Sequence, residues 1–130
     1  MMKLAYTILY VKDVEAAMRF YTAAFGMEIK FIAPGNSYGE LNTGDTTLSF
    51  ASHGQAATNL ADGFEESSLS RSPFGIEIGF TAENVEEAFK HAVQAGATPV
   101  AEPTYKPHGQ TVAYVRDIDG FLVELCTPME

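Results

Sequence analysis

The chain has 130 residues, enough for one domain that buries roughly two-thirds of its unfolded surface without a disulfide or metal staple. Hydrophobic residues make up 46% and charged residues 19%, a balance that excludes a disordered chain. Eight Lys plus Arg against seventeen Asp plus Glu leave a formal charge of -9, the wrong sign for a phosphate backbone or an anionic bilayer, so neither nucleic acid nor membrane is an expected partner. The single Cys126 can close no intramolecular disulfide and offers no thiolate zinc site. The opening MMKLAYTILYV is apolar for only about eight residues before Lys12 and Asp13 and lacks a cleavage site, so a cytoplasmic location is expected.

Residues 4–11, rich in aromatic and β-branched types, predict a strand. From Val14 the apolar positions Val14, Ala17, Met18, Tyr21, Ala24 and Phe25 follow a helical period, with Asp13 placed to cap the N-terminus and Gly26 the C-terminus. Strands are predicted near 27–33, 37–43 and 46–52, separated by the turn sequences Pro34-Gly35-Asn36 and Thr43-Gly44-Asp45. Residues 53–73 show no steady period and read as a linker. A strand at 74–81 and a helix from Val85 follow, the helix capped by Asn84 with Glu87 three residues on and by Gly96 at its end. Strands near 97–102, 110–116 and 120–127 complete the chain.

The order βαβββ therefore occurs twice. Asp13-Val14-Glu15 matches Asn84-Val85-Glu86 71 residues on, and Gly44-Asp45 through Phe50 matches Asp119-Gly120 through Leu125. An internal duplication explains why order, caps and turns recur together. The expectation is an α+β fold: one domain built from two tandem βαβββ modules with cupped mixed sheets, at about 3–52 and 74–127, whose site lies where equivalent strands face each other.

Strand alternation assigns side chains to faces. Ala5, Thr7, Leu9 and Val11 suit packing under a helix, which leaves Tyr6, Ile8 and Tyr10 on the opposite, concave face. In the second module Ile76, Ile78 and Phe80 belong under the helix, leaving Glu77, Gly79 and Thr81 concave. In the last strand of each module, Ser49 and Glu124 take matching concave positions. Glu77 and Glu124 sit in apolar contexts, Ile-Glu-Ile and Val-Glu-Leu, where a carboxylate is costly unless solvated, paired or metal-bound.

The strand and helix YTILYVKDVEAAMRFYTAAFGMEI and the ending DIDGFLVEL resemble the vicinal oxygen chelate superfamily, the glyoxalase I, bleomycin-resistance and extradiol dioxygenase group, over nearly the whole chain. The ending departs from the family pattern at Ile118, where Pro is usual. The resemblance implies the glyoxalase/bleomycin resistance fold. It also implies a divalent metal held at four places that fall here on Tyr6, Ser49, Glu77 and Glu124. Of these only Glu124 keeps the usual type; Glu77 is another possible oxygen ligand, and Tyr6 and Ser49 are poor ligands. The standard metal site is therefore expected to be degenerate, with no cofactor assigned and any divalent metal left to Glu77, Glu124 and water.

Two functions are carried forward. The first is a homodimeric protein that binds a small organic molecule in the cavity between its concave sheets. The second is a metal-dependent glyoxalase-type lyase or dioxygenase using Glu77 and Glu124 as its catalytic pair. Glu124 reads either as general base or metal ligand, or as a residue hydrogen-bonded to Tyr6, Tyr10 or water; Glu77 reads as a ligand contact or as a partner for Arg116 or Lys106. Tyr6, Tyr10 and Ser49 are candidate ligand-binding residues, and His108 joins them from the loop Lys106-Pro107-His108-Gly109. Tyr38 and Tyr114 read as aromatic lining or as ordinary core, Cys126 as a small buried hydrophobe, His91 as a surface partner of Glu87 and His53 as polar loop. The acidic charge suits a cationic or neutral ligand better than an anionic one.

Overall fold

A computed structural model describes residues 1–129. The elements are β1 (Tyr6–Val11), α1 (Val14–Phe25), β2 (Glu28–Ile32), β3 (Tyr38–Asn42), β4 (Thr47–Ser52), α2 (His53–Ala57), β5 (Glu77–Thr81), α3 (Val85–Gln94), β6 (Thr98–Tyr105), β7 (Thr111–Arg116) and β8 (Leu122–Cys126). They form two four-stranded mixed sheets, ordered β1-β4-β3-β2 and β5-β8-β7-β6. In each sheet the first and fourth strands of the βαβββ unit pair parallel and the remaining neighbours antiparallel. The chain divides into two compact units, residues 1–66 and 67–130. Among the described residues no helix is long and apolar enough to cross a membrane.

In the first unit, α1 starts where the Asp13 carboxylate accepts the Ala16 N–H at 3.2 Å and ends where Gly26 turns left-handed at φ 72°. Asn36, itself at φ 56°, donates its amide to Asp13 at 2.9 Å and accepts the Glu15 N–H at 2.8 Å, so the β2–β3 turn buttresses the helix start. The helix buries Val14, Ala17, Met18, Phe20, Tyr21 and Ala24 over Leu9, Val11, Leu41, Leu48 and Phe50. Phe20 lies outside the periodic stripe read from the sequence, yet it is buried and packs edge-on to Tyr21 and Phe25. Gly39 of β3 is required by close approach, because a Cβ there would collide with the Met18 sulfur.

The second unit repeats the plan with a thinner helix. Asn84 caps α3 through the Glu87 N–H at 3.1 Å, and Val85 and Ala92 are the helix residues fully buried above Ala113, Val115, Val123 and Leu125. The β7–β8 turn is organised by Asp117, only 1% exposed, whose carboxylate accepts the N–H groups of Asp119 and Phe121 at 2.9 Å each. Ile118 stands 40% exposed within this braced turn.

The stretch expected as linker carries structure. Residues 53–57 form the one-turn helix α2, and Phe64 packs its ring against Tyr10 within the first unit. Beyond Glu66 the chain is tied to the second unit: Ser67 donates to the Asp119 carbonyl at 2.8 Å, and the Arg116 guanidinium donates to the carbonyls of Ser68, Arg71 and Gly120.

Candidate functional site

Register decides which side chains share a face. In the second sheet Gly79 pairs with Glu124 and Tyr114 pairs with Glu124, while Glu77 lies two residues before Gly79. Glu77, Glu124, Tyr114 and Cys126 therefore stand on the face away from α3, as alternation predicts. Gly79 keeps that surface low: a Cβ there would sit 3.6 Å from Glu124 Oε1, so the carboxylate leans over the glycine.

Glu77 and Tyr114 flank Glu124 on this face, Tyr114 directly opposite it in register and Glu77 on the strand at its other side. Burial, then the hydrogen bond and charge of Glu77, push the Glu124 carboxyl above its ordinary value; Tyr114 and the charge of His108 act in the opposite direction. Tyr114 is raised in turn, by burial and then by the charges of Glu124 and Glu77. The Cys126 thiol is also raised, by burial first and then by the same two carboxylates, which disfavours a thiolate nucleophile. A carboxylate pair of this kind can hold one proton between two acids and exchange it with a ligand.

Arg116 is not the partner of Glu77; its guanidinium is spent on the carbonyls that fasten residues 68–71. His108 lies exposed on the β6–β7 loop, 2.6 Å from the Gln110 amide oxygen. It borders a hollow of about 650 Å³ lined also by Glu83, Tyr105, Gln110, Thr127 and Met129.

The first sheet carries a different set at matching positions. Ile8 pairs with Ser49, as Gly79 pairs with Glu124, so Tyr6 matches Glu77 and Ser49 matches Glu124. Tyr6 is 54% exposed and Tyr10 half-buried on the face away from α1. Ser49 departs from its expected role: it is 0% exposed and donates to the Thr7 carbonyl at 3.5 Å, so it offers no surface to a ligand. Glu40, absent from the sequence-based candidates, pairs with Ser49 in register and thus matches Tyr114. It accepts the Tyr38 hydroxyl at 2.8 Å and lies 3.8 Å from the Lys30 ammonium. Burial raises Tyr38 above its ordinary value, with Ser49 opposing and Glu40 adding to the shift. The signal for Glu40 was available, since it occupies the strand-three position opposite the one already singled out on strand four.

The donor set does not make a dedicated divalent metal centre. Among the described residues no group of three or more His, Cys, Asp or Glu side chains is placed to hold one ion. The second unit brings two carboxylates, Glu77 and Glu124, to one face, short of the three or four protein ligands of a dedicated site.

A family model described as the Glyoxalase/Bleomycin resistance protein/Dioxygenase superfamily matches residues 3–125. No curated protein matches the chain. Among solved structures, the chain is similar to a glyoxalase-related enzyme from Fulvimarina pelagi, at TM-score 0.83 and 20% identity over 98% of this chain and 89% of that one. A glyoxalase/bleomycin resistance protein/dioxygenase family enzyme from Burkholderia phytofirmans PsJN matches at TM-score 0.83 and 20% identity, covering 98% of this chain and 100% of that one. TioX from Micromonospora sp. ML1 matches at TM-score 0.72 and 20% identity over the same shares. At these identities the structural likeness speaks for the fold alone.

Proposed function

The chain belongs to the glyoxalase/bleomycin resistance protein/dioxygenase superfamily, and from that premise we propose that it binds a small organic molecule through the open faces of its sheets without a resident metal. The observation that carries this reading is the meeting of Glu77, Glu124 and Tyr114 on one sheet face, where among the described residues no group of three His, Cys, Asp or Glu side chains is placed to hold an ion. Two carboxylates and a phenol hydroxyl recognise a cationic or hydrogen-bond-donating group, and the pair can take up or return a proton as general acid and base. Tyr6 and Tyr10 supply aromatic surface on the first sheet, and His108 an exposed polar contact on the second.

Thermal-shift titration with cationic aromatic compounds and with aldehyde–thiol adducts tests the reading. Cationic compounds should stabilise the wild type, and Glu77→Gln or Glu124→Gln should each weaken that binding by about tenfold. Equal binding by wild type and both variants overturns it. Metal analysis of protein purified without chelator is the second arm; stoichiometric divalent metal lost in Glu124→Gln would replace a metal-free binder with a metal-dependent enzyme.

A further inference from the structure

We propose that the first unit carries a slot for a planar aromatic molecule bearing a hydrogen-bond donor, built from Tyr10 and His53 and filled in the free protein by its own Phe64. The proposal rests on the small-ligand reading in giving Tyr10 to a ligand, and it adds the ligand's chemistry and a displaceable occupant.

Phe64 lies in residues 58–66, which form neither helix nor strand. Its ring centroid is 4.9 Å from that of Tyr10 at 66° and 5.9 Å from the His53 imidazole at 53°. A turn at Gly63, with φ 78° and its N–H donated to the Leu60 carbonyl at 2.9 Å, aims the ring at Tyr10. An edge-on aromatic contact of this kind is one that an incoming ring can replace in kind.

His53 supplies the polar end. Its side chain is 22% exposed, yet Nε2 is buried and has no hydrogen-bond partner among the described residues. The Glu66 carboxylate lies 3.7 Å from Nδ1, on the opposite side of the ring. A carboxylate there favours the proton on Nδ1, which leaves a lone pair on Nε2. A buried lone pair without a donor is an unmet demand, and a phenolic O–H or an aromatic N–H satisfies it. The position 71 residues after Tyr10 is the exposed Thr81, so the aromatic slot is a property of the first unit and not of the repeat.

The test compares 2-naphthol with 2-methoxynaphthalene, which has the same rings without the donor, by NMR of the wild-type chain. The imidazole of His53 should carry its proton on Nδ1 in the free protein. 2-Naphthol should shift His53 Nε2 and the rings of Tyr10 and Phe64, and bind about tenfold more tightly than the methyl ether. His53→Phe should erase that preference, and Phe64→Ala should tighten 2-naphthol binding by about fivefold because the internal competitor is gone. A proton on Nε2, equal affinity for the two compounds, or unchanged affinity in Phe64→Ala overturns the slot. Should Phe64→Ala fail to fold, the tautomer and the two wild-type affinities decide alone. Shifts confined to Tyr114 and Cys126 overturn the slot while leaving the small-ligand reading intact; that reading fails separately, through the Glu77→Gln and Glu124→Gln titrations.

Discussion

Glu124 is held above its ordinary 4.5 by burial and by Glu77, so folding favours its protonated form. Below that value both folded and unfolded chains keep the proton and nothing is lost. As pH rises, the unfolded chain ionises first, and stability falls until the folded pKa is passed. Glu124→Gln should therefore raise the melting temperature at neutral pH and leave it unchanged near pH 4, which parallel melting curves check. Asp13 has the opposite sign. Its Asn36 hydrogen bond, then the Ala16 N–H, hold it below 3.8, so its contribution is present above that value and is lost as pH falls through the folded pKa. The gap in urea midpoint between wild type and Asp13→Asn should accordingly close on acidification, and a gap that persists would remove the carboxylate's charge from the explanation.

At the scale of elements, the β7–β8 turn should be the sensitive one. Asp117→Ala strips the acceptor from two backbone N–H groups in a buried site and should cost about 2 kcal/mol or more in chemical denaturation. Gly120 sits at φ 88°, and a Cβ would meet the Ser68 backbone at 2.6 Å, so Gly120→Ala should be at least as damaging. An unaltered denaturation midpoint in either variant would contradict the bracing role given to this turn.

How far elements are legible follows from where their signals lie. The start of α1 and of α3 could be read because Asp13 and Asn84 act on residues three positions away. The end of α3 was misplaced by one step: Gln94 is the last helical residue, Ala95 caps it in the right-handed region, and Gly96 takes the left-handed turn after it. β6 runs to Tyr105, past the predicted 102, despite Pro99 and Pro103. It is an edge strand with two register shifts, where missing donors do little harm. Glu77 and Glu124 were legible from period-two alternation, but the burial of Ser49 and the contact of Phe64 with Tyr10 depend on chain segments far apart in sequence.

At the scale of the molecule, a charge of -9 on 130 residues works against compactness through self-repulsion. The melting temperature should rise as salt is added from low ionic strength and level off once screening reaches molecular contact distances. With no Trp and six Tyr, tyrosine fluorescence or circular dichroism is the measurement, and a flat salt dependence would show the acidic groups to be already compensated. The repeat itself has diverged chemically while keeping its register. The first-strand position is Tyr6 in one unit and Glu77 in the other, and the third-strand position is Glu40 in one and Tyr114 in the other.

Phe64 fastens one side of the 53–73 stretch and Ser67 with Arg116 the other, while between them Glu66 reaches back to within 3.7 Å of the His53 imidazole. For an engineer this marks where not to cut: a tag or a guest peptide spliced among 68–71 would pull the Arg116 clamp apart, because two of the carbonyls that hold the guanidinium belong to Ser68 and Arg71.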